Sequence, residues 1–170
     1  GYRMVGIPDG MGAFDNGNGT YTVVMNHELG STAGIVRAHG GKGAFVSKWV
    51  IDKATQQVLS GQDLMTNVYL FNANTLAYEL TAGVAFQRFC SADLPAVSAY
   101  YNSTTGKGTP NRIFMNGEEG SPYRAMAHVV TGPEAGRSYH LAYLGRLSWE
   151  NALANPYMQD KTIVAGTDDD

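Results

Sequence analysis

The sequence predicts a mostly β domain, arranged as a sandwich or a propeller of short strands. Glycine is abundant, at 21 of 170 residues, and the apolar runs are short and end in Gly, Asn or Asp. Those runs are rich in β-branched and aromatic residues, which favour strands. No long helical period separates them, so a parallel sheet with crossover helices is disfavoured.

The elements follow in order from these patterns. Strands are predicted at 19–25, 43–52, 57–61, 112–115, 125–131, 138–141 and 161–165, and residues 67–71 are either a further strand or an irregular edge. Turns at 52–55 and 132–136 predict two hairpins. A short helix is predicted after Cys90, over 94–101, with Ser91 as its N-cap and Pro95 in its first turn. Residues 148–151 are predicted to start a short turn or helix.

Composition excludes several classes of function. The net charge is −3, from 12 basic and 15 acidic residues, so no polybasic face is present to bind nucleic acid. No apolar run reaches the length of a membrane span. The single cysteine cannot form an internal disulfide.

Carboxylates follow three of the predicted strands. They are Glu28 in VVMNHELG, the pair Glu118 and Glu119 in FMNGEEG, and the run Asp168, Asp169 and Asp170 in TIVAGTDDD. Carboxylate and backbone oxygens are the ligands that Ca²⁺ takes, and a cation would offset the repulsion between neighbouring acids. The alternative is that each acid lies in an ordinary solvated turn.

Cys90 lies after Arg88, at the start of the predicted helix. A helix N-terminus and a nearby arginine both favour the thiolate. A thiolate among carboxylates prefers a transition metal such as iron to Ca²⁺. The alternative is a buried structural cysteine.

Two other motifs have weaker implications. His27 and Glu28 are adjacent on a strand, so only one of them can face a given site. The loop 37–43, which begins with Arg37, has the basic and glycine residues of a phosphate cradle but lacks the GK[ST] pattern. A flexible connection is equally consistent with it. No Gly-x-Ser-x-Gly nucleophile motif is present.

Six stretches, in this order, resemble the PhoX-type alkaline phosphatase family: PDGMGAF (8–14), VVMNHEL (23–29), RFCSADL (88–94), FMNGEEG (114–120), LGRLSWENA (144–152) and VAGTDDD (164–170). The resemblance implies a six-bladed β-propeller that is exported to the periplasm or secreted. It also implies a centre of iron and calcium ions that hydrolyses phosphate monoesters.

Site residues are carried over from the resemblance by position. Metal ligands are expected at Glu28, Cys90, Glu118, Glu119, Glu150, Asp168 and Asp169. Arg146 is expected to contact the phosphate, as a catalytic and substrate-binding residue. Arg37 is a second substrate-binding candidate, which comes from the loop 37–43 and not from the resemblance. Trp149 stands where the family tends to carry a histidine.

Residues 1–170 are expected to form a single region, part of a larger propeller. The remainder of the propeller, or a neighbouring subunit, would then cover its open strand edges. Two functions stay open: a metal-dependent phosphatase, and a non-catalytic, calcium-stabilised extracellular module for structure or binding.

Overall fold

A computed structural model describes residues 1–169, and it is mostly β. Its strands are β1 (Ile7–Asp15), β2 (Thr20–Glu28), β3 (Phe45–Asp52), β4 (Val58–Asp63), β5 (Asn67–Asn72), β6 (Ala77–Leu80), β7 (Phe89–Asp93), β8 (Tyr101–Asn102), β9 (Lys107–Gly108), β10 (Ile113–Glu118), β11 (Ala125–Val129), β12 (Arg137–His140), β13 (Trp149–Ala154) and β14 (Val164–Asp168). Within the described residues, helical structure is limited to two 3-10 turns, Val97–Ala99 and Ala142–Leu144.

The first sheet is an antiparallel meander in the order β1-β2-β3-β4. The register between β2 and β3 is continuous, from Thr20 opposite Asp52 to His27 opposite Phe45. These two strands are rich in β-branched and aromatic residues, which is why the sequence predicts them well.

The second sheet has six strands in the order β6-β5-β12-β11-β10-β7. Strands β7, β10, β11 and β12 are antiparallel neighbours, whereas β5 joins the sheet by pairing in parallel with β12. Strands β13 and β14 form a separate antiparallel pair, as do the short strands β8 and β9.

Strand β7 contacts both β1 and β13, so it joins the first sheet to the β13–β14 pair. A main core cluster fills the space around Phe45, Phe86, Phe89 and Phe114, all fully buried. A second cluster forms around Trp149, with Met115, Ala125, Ala99, Ala152 and Ala154. The two clusters fix the mutual positions of β1, β7 and β13, whose residues form the site described below.

The expected mostly β fold and both expected hairpins are confirmed. The helix after Cys90 is largely wrong, since residues 89–93 form β7 and only the turn Val97–Ala99 lies in the predicted helical range. Ser91 caps no helix and instead lies within β7. Pairing with β10 satisfies the backbone groups of this segment, and that tertiary contact outweighs the local capping pattern.

Two more predictions need correction. Residues 149–151 form the start of β13 and not a turn or helix, because β14 pairs with this strand. Strand β1 was not predicted at all, since its sequence IPDGMGAFD contains one proline and two glycines. Within residues 1–169, no helix is long and apolar enough to cross a membrane.

Candidate metal centre

Six side chains that can bind metals converge where β1, β2, β7, β10, β13 and β14 meet. They form two groups: Asp9, Glu28 and Cys90, and then Glu119, Glu150 and Asp169. Within each group the possible ligand atoms all lie within 4.8 Å of one another. We call the six residues the acidic cluster. Of the seven predicted ligands, five are in it: Glu28, Cys90, Glu119, Glu150 and Asp169.

Asp9 is the one member that the sequence did not single out. The register between β1 and β2 shifts between Pro8 and Met11, so Asp9 and Gly10 form a bulge. A bulge re-aims a side chain out of the regular alternation. Gly10 allows β1 to lie against β7, since a Cβ at this position would be 2.3 Å from the backbone nitrogen of Ala92.

His27 and Glu28 point to opposite sides of β2, as alternation requires. The fully buried His27 ring stacks on Phe45, and its Nε2 lies 2.7 Å from Ser47 Oγ. The Glu28 carboxylate faces the acidic cluster instead, where Arg88 Nε donates to its Oε1 at 2.9 Å. His27 is therefore structural and Glu28 is available to a ligand.

The side chains of the adjacent residues Glu118 and Glu119 also point in different directions. Glu118 is fully buried, and its carboxylate accepts from Arg124 Nε at 2.6 Å, Arg124 Nη2 at 2.9 Å and the Gln87 backbone N–H at 2.9 Å. The structure thus does not bring Glu118 into the acidic cluster. Glu119 turns toward the cluster, with its backbone N–H donating to Arg88 O at 3.1 Å.

Glu150 lies on β13, and Asp169 directly follows β14, the strand that pairs with β13. Ser91 Oγ on β7 donates to Glu150 Oε1 at 3.0 Å. Ser148 links Glu119 to Asp169, because its hydroxyl donates to Glu119 O at 2.9 Å and its carbonyl accepts from the Asp169 N–H at 3.0 Å. These hydrogen bonds join three separate chain segments around the carboxylates.

The neighbouring Trp149 faces the core and not the cluster. It is 2% exposed, and its Nε1 donates to Tyr123 O at 3.2 Å. A Cβ on Gly117 or Gly166 would lie 2.3 Å or 2.4 Å from atoms of Trp149, so the indole fills the space that these glycines leave. Trp149 positions β13, and hence Glu150, but offers no ligand atom to the cluster.

Arg88 is the cation in direct contact with the cluster. Its Nε contacts Glu28, and its Nη2 lies 2.6 Å from Glu119 Oε2. The backbone φ of Arg88 is +46°, which is uncommon for a residue other than glycine. Its backbone N–H donates to Leu29 O at 2.9 Å, so both backbone and side chain tie β7 to the end of β2.

The environment of Cys90 differs from the prediction. No helix begins there, and burial raises the pKa of the thiol well above its usual value. The carboxylates of Glu119 and Glu28 act in the same direction, because a thiolate beside them would be repelled. A bare thiolate is therefore disfavoured, and a bound cation is what would reverse that preference.

The donor set fits hard and intermediate cations. Burial raises the pKa of both Asp9 and Glu119, and the charge of Glu28 acts in the same direction on each. The buried Glu119 Oε2 accepts no hydrogen bond within residues 1–169, and its contact with Arg88 is an ion pair without that alignment. Crowded carboxylates of this kind are suited to a metal ion.

The other predicted site residues lie outside the cluster. Asp168 is in β14, where its Oδ1 accepts from the Ser148 N–H at 3.1 Å, and Asp170 lies outside the described residues. Arg146 is exposed and lines a cavity of about 300 Å³ with Tyr123, Leu147, Ser148 and Asp168. Through Ser148 this cavity adjoins the segments that hold Glu119 and Asp169.

Arg37 lies near neither group. Its guanidinium covers the Phe45 ring at 3.7 Å and faces Asp63. In the loop that was considered as a phosphate cradle, backbone N–H groups donate within the chain, as from Arg37 to Gly41 O and from Gly43 to Ala33 O. With the bonds from Ala38 to Asp63 Oδ2 and from Gly40 to Arg37 O, four of the seven backbone N–H groups in the loop 37–43 are already paired, which weakens the interpretation as a phosphate cradle.

A buried polar chain fixes the strands beneath the cluster. Asn26 Nδ2 donates to Cys90 O at 2.7 Å, and Asn116 Nδ2 donates to Asn26 Oδ1 at 2.7 Å. Asn116 Oδ1 then pairs with His128 Nε2 at 2.9 Å, and His128 Nδ1 pairs with Ser138 Oγ at 2.8 Å. The chain links the first sheet to the second and uses every polar atom of the imidazole.

The His128 network predicts a pH effect on stability. Burial lowers the pKa of His128 from 6.5 to about 3, so the unfolded chain takes up a proton that the folded chain refuses. Stability from this group is complete above pH 6.5 and is lost as the pH falls. We expect the contribution of His128 to the free energy of unfolding to fall by about 2 kcal/mol between pH 7 and pH 5.

Urea unfolding of the wild type and of His128→Gln at both pH values measures this effect. The difference between the two proteins is the relevant quantity, because the raised pKa values of Asp9 and Glu119 change stability in the opposite direction. An equal pH dependence in both proteins would show that His128 is not held neutral.

Comparison of the chain with protein-family models, with curated proteins and with solved structures finds no match. The functional assignment therefore depends on the site itself and on the sequence stretches described above.

Proposed function

We propose that this chain carries the metal centre of a PhoX-type phosphatase and hydrolyses phosphate monoesters. The observation that carries the proposal is the convergence of Asp9, Glu28, Cys90, Glu119, Glu150 and Asp169 from separate strands. Cys90 and Glu119 are buried, Asp9, Glu28 and Glu150 are half-buried and Asp169 is exposed, and a cation would offset the repulsion among the five carboxylates. The stretches that resemble the PhoX family contribute all six of these residues.

The two groups differ in donor chemistry. The second group, Glu119, Glu150 and Asp169, offers oxygen atoms alone, which suits Ca²⁺. The first group adds the sulfur of Cys90, which suits iron. Ions bound there would act as Lewis acids for charge that develops on the phosphoryl oxygens.

The chain's own residues would bind and orient the substrate. Arg146 is exposed beside the Ser148 segment and can donate two hydrogen bonds to a phosphoryl group. Arg88 holds the carboxylates of Glu28 and Glu119 in position across the gap between β2 and β10. Ser91 and Ser148 keep Glu150 and Glu119 oriented through the hydrogen bonds described above.

For the fold, we propose blades of an incomplete propeller. The meander β1-β2-β3-β4 and the antiparallel strands β7-β10-β11-β12 each have the four strands of a blade. Strands β1, β7 and β13 lie side by side, as inner strands do around a propeller axis. Further blades, from the rest of the protein or a neighbouring subunit, would complete it, and an exported protein is the expected setting.

Trp149 supports a second candidate function. It stands where the family tends to carry a histidine, and it is buried away from the cluster. A centre with fewer ligands could bind calcium for stability alone, in a non-catalytic extracellular module. Iron together with calcium in the purified protein would favour the phosphatase, and calcium alone would favour the module.

The test of the phosphatase is hydrolysis of p-nitrophenyl phosphate by protein loaded with calcium and iron. We expect activity that a chelator abolishes, and we expect Arg146→Gln to lower kcat/KM by about 100-fold. The matched control is Arg137→Gln, which changes an arginine paired only with the exposed Glu134. Loaded protein without activity would reject the phosphatase, and equal rates for both variants would reject the role of Arg146.

A further inference from the structure

A cavity away from the acidic cluster has both cationic and apolar walls. Its volume is about 470 Å³, and its lining includes Tyr2, Arg3, Val5, Leu29, Ile35 and Arg37. None of these residues belongs to the acidic cluster. The cavity is large enough for a small organic ligand.

Arg37 lacks the acceptors that a buried guanidinium needs. Its side chain is only 7% exposed, yet Asp63 Oδ1 lies 3.6 Å from Nη1, beyond hydrogen-bond distance. Its Nε is buried and has no partner within residues 1–169. A buried N–H donor without a partner costs free energy, and the Arg37 Nε–H is such a donor.

Asp63 is not free to move toward Arg37. Its Oδ2 accepts from the Ala38 backbone N–H at 2.9 Å, and its Oδ1 accepts from the Tyr2 hydroxyl. The Phe45 ring covers one face of the guanidinium. Arg37 lines the cavity, so a ligand bound there could supply an acceptor that Asp63 does not.

The rest of the lining indicates what kind of anion would fit. Arg3 is exposed at the same cavity and adds a second guanidinium. Val5, Leu29 and Ile35 supply apolar wall, and Ile35 is 67% exposed, a large apolar area left in water. Two guanidinium groups beside an apolar wall match an anion with a hydrocarbon tail.

We propose that this cavity binds an aliphatic monocarboxylate of medium chain length. The carboxylate lies between Arg3 and Arg37, where it can accept charge-assisted hydrogen bonds. The hydrocarbon tail covers Val5, Leu29 and Ile35 and removes their apolar surface from water. This site does not depend on the proposed metal centre, so metal-free protein binds the ligand equally well.

Isothermal titration calorimetry of the whole chain with octanoate tests the proposal. Saturable binding is expected, whereas acetate, which lacks the tail, and octan-1-ol, which lacks the charge, bind at least about tenfold more weakly. Octan-1-ol that binds as tightly as octanoate would overturn the proposal, since the cavity would then be only an apolar cleft. Absence of saturable octanoate binding would also overturn it, because water would then be the partner of Arg37.

Arg3→Gln is the informative variant, because Arg3 is exposed and its loss leaves the Arg37–Phe45 contact intact. We expect octanoate affinity to fall about fivefold to tenfold. Lys161→Gln is the matched control, since it removes one exposed positive charge away from the cavity. Equal losses in both variants would indicate a general charge effect and would contradict a built site.

Discussion

Glu118→Gln is expected to destabilise the metal-free protein by about 3–5 kcal/mol, the usual result of removing one partner from a buried ion pair. Glu118 is fully buried, and Arg124 lies against it with a side chain that is 9% exposed. The substituted amide is neutral and also carries two N–H donors where the carboxylate had only acceptors. Arg124 would then retain a buried charge with no counter-ion, and its partners would be one neutral amide oxygen, Ala85 O at 3.1 Å and the Phe86 ring.

Urea unfolding in the presence of a chelator measures this loss, and Glu119→Gln is the matched control one residue away. Glu119 lies among other carboxylates, so removing its charge relieves repulsion and is expected to leave metal-free stability unchanged or slightly higher. The double variant Glu118→Met with Arg124→Met should recover part of the loss, because it leaves no buried charge. If Glu118→Gln unfolds like the wild type while Glu119→Gln is strongly destabilised, the two roles are reversed.

The opposite roles of Glu118 and Glu119 show where sequence reasoning reached its limit. The FMNGEEG stretch predicts two adjacent glutamates at the end of a strand, and in the structure β10 does end at Glu118. Which glutamate faces the cluster depends on the register of β10 against β7, which shifts between Asn116 and Glu118. Such an irregularity comes from packing between strands distant in sequence, so local alternation cannot specify it.

Glu28 was easier to place for the same physical reason. Strand β2 pairs with β3 without interruption, so the alternation of His27 and Glu28 assigns them to opposite faces. The sequence does not predict Asp9 as a ligand, because its strand is interrupted by a bulge and contains Gly10 and Gly12, which weaken any strand pattern. Its place in PDGMGAF, the first of the six stretches that resemble the PhoX family, is the sequence signal that marks it.

The segment after Cys90 shows a local signal overruled by tertiary pairing. Ser91, Asp93 and Pro95 form a good helix start by sequence, but β10 and the Asn26 side chain provide hydrogen-bond partners for an extended chain. The Cys90 thiol consequently lies among carboxylates and not at a helix N-terminus. Its proposed role as a ligand now depends on a cation and no longer on a lowered pKa of its own.

The largest expected gain in stability comes from a cation bound by the acidic cluster. Ca²⁺ at a hundred times its dissociation constant should stabilise the folded protein by about 2.7 kcal/mol, provided that it binds only the folded state. Glu119→Gln should weaken Ca²⁺ binding by at least about tenfold, because it removes a charged ligand from the all-oxygen group. Glu134→Gln is the matched control, since Glu134 is exposed and pairs only with Arg137.

Calorimetric titration of metal-free protein with Ca²⁺ tests the proposed metal centre most directly. The account predicts saturable binding by the wild type and by Glu134→Gln, and much weaker binding by Glu119→Gln. A wild type that binds no Ca²⁺, or a Glu119→Gln variant that binds it as tightly as the wild type, would contradict the account.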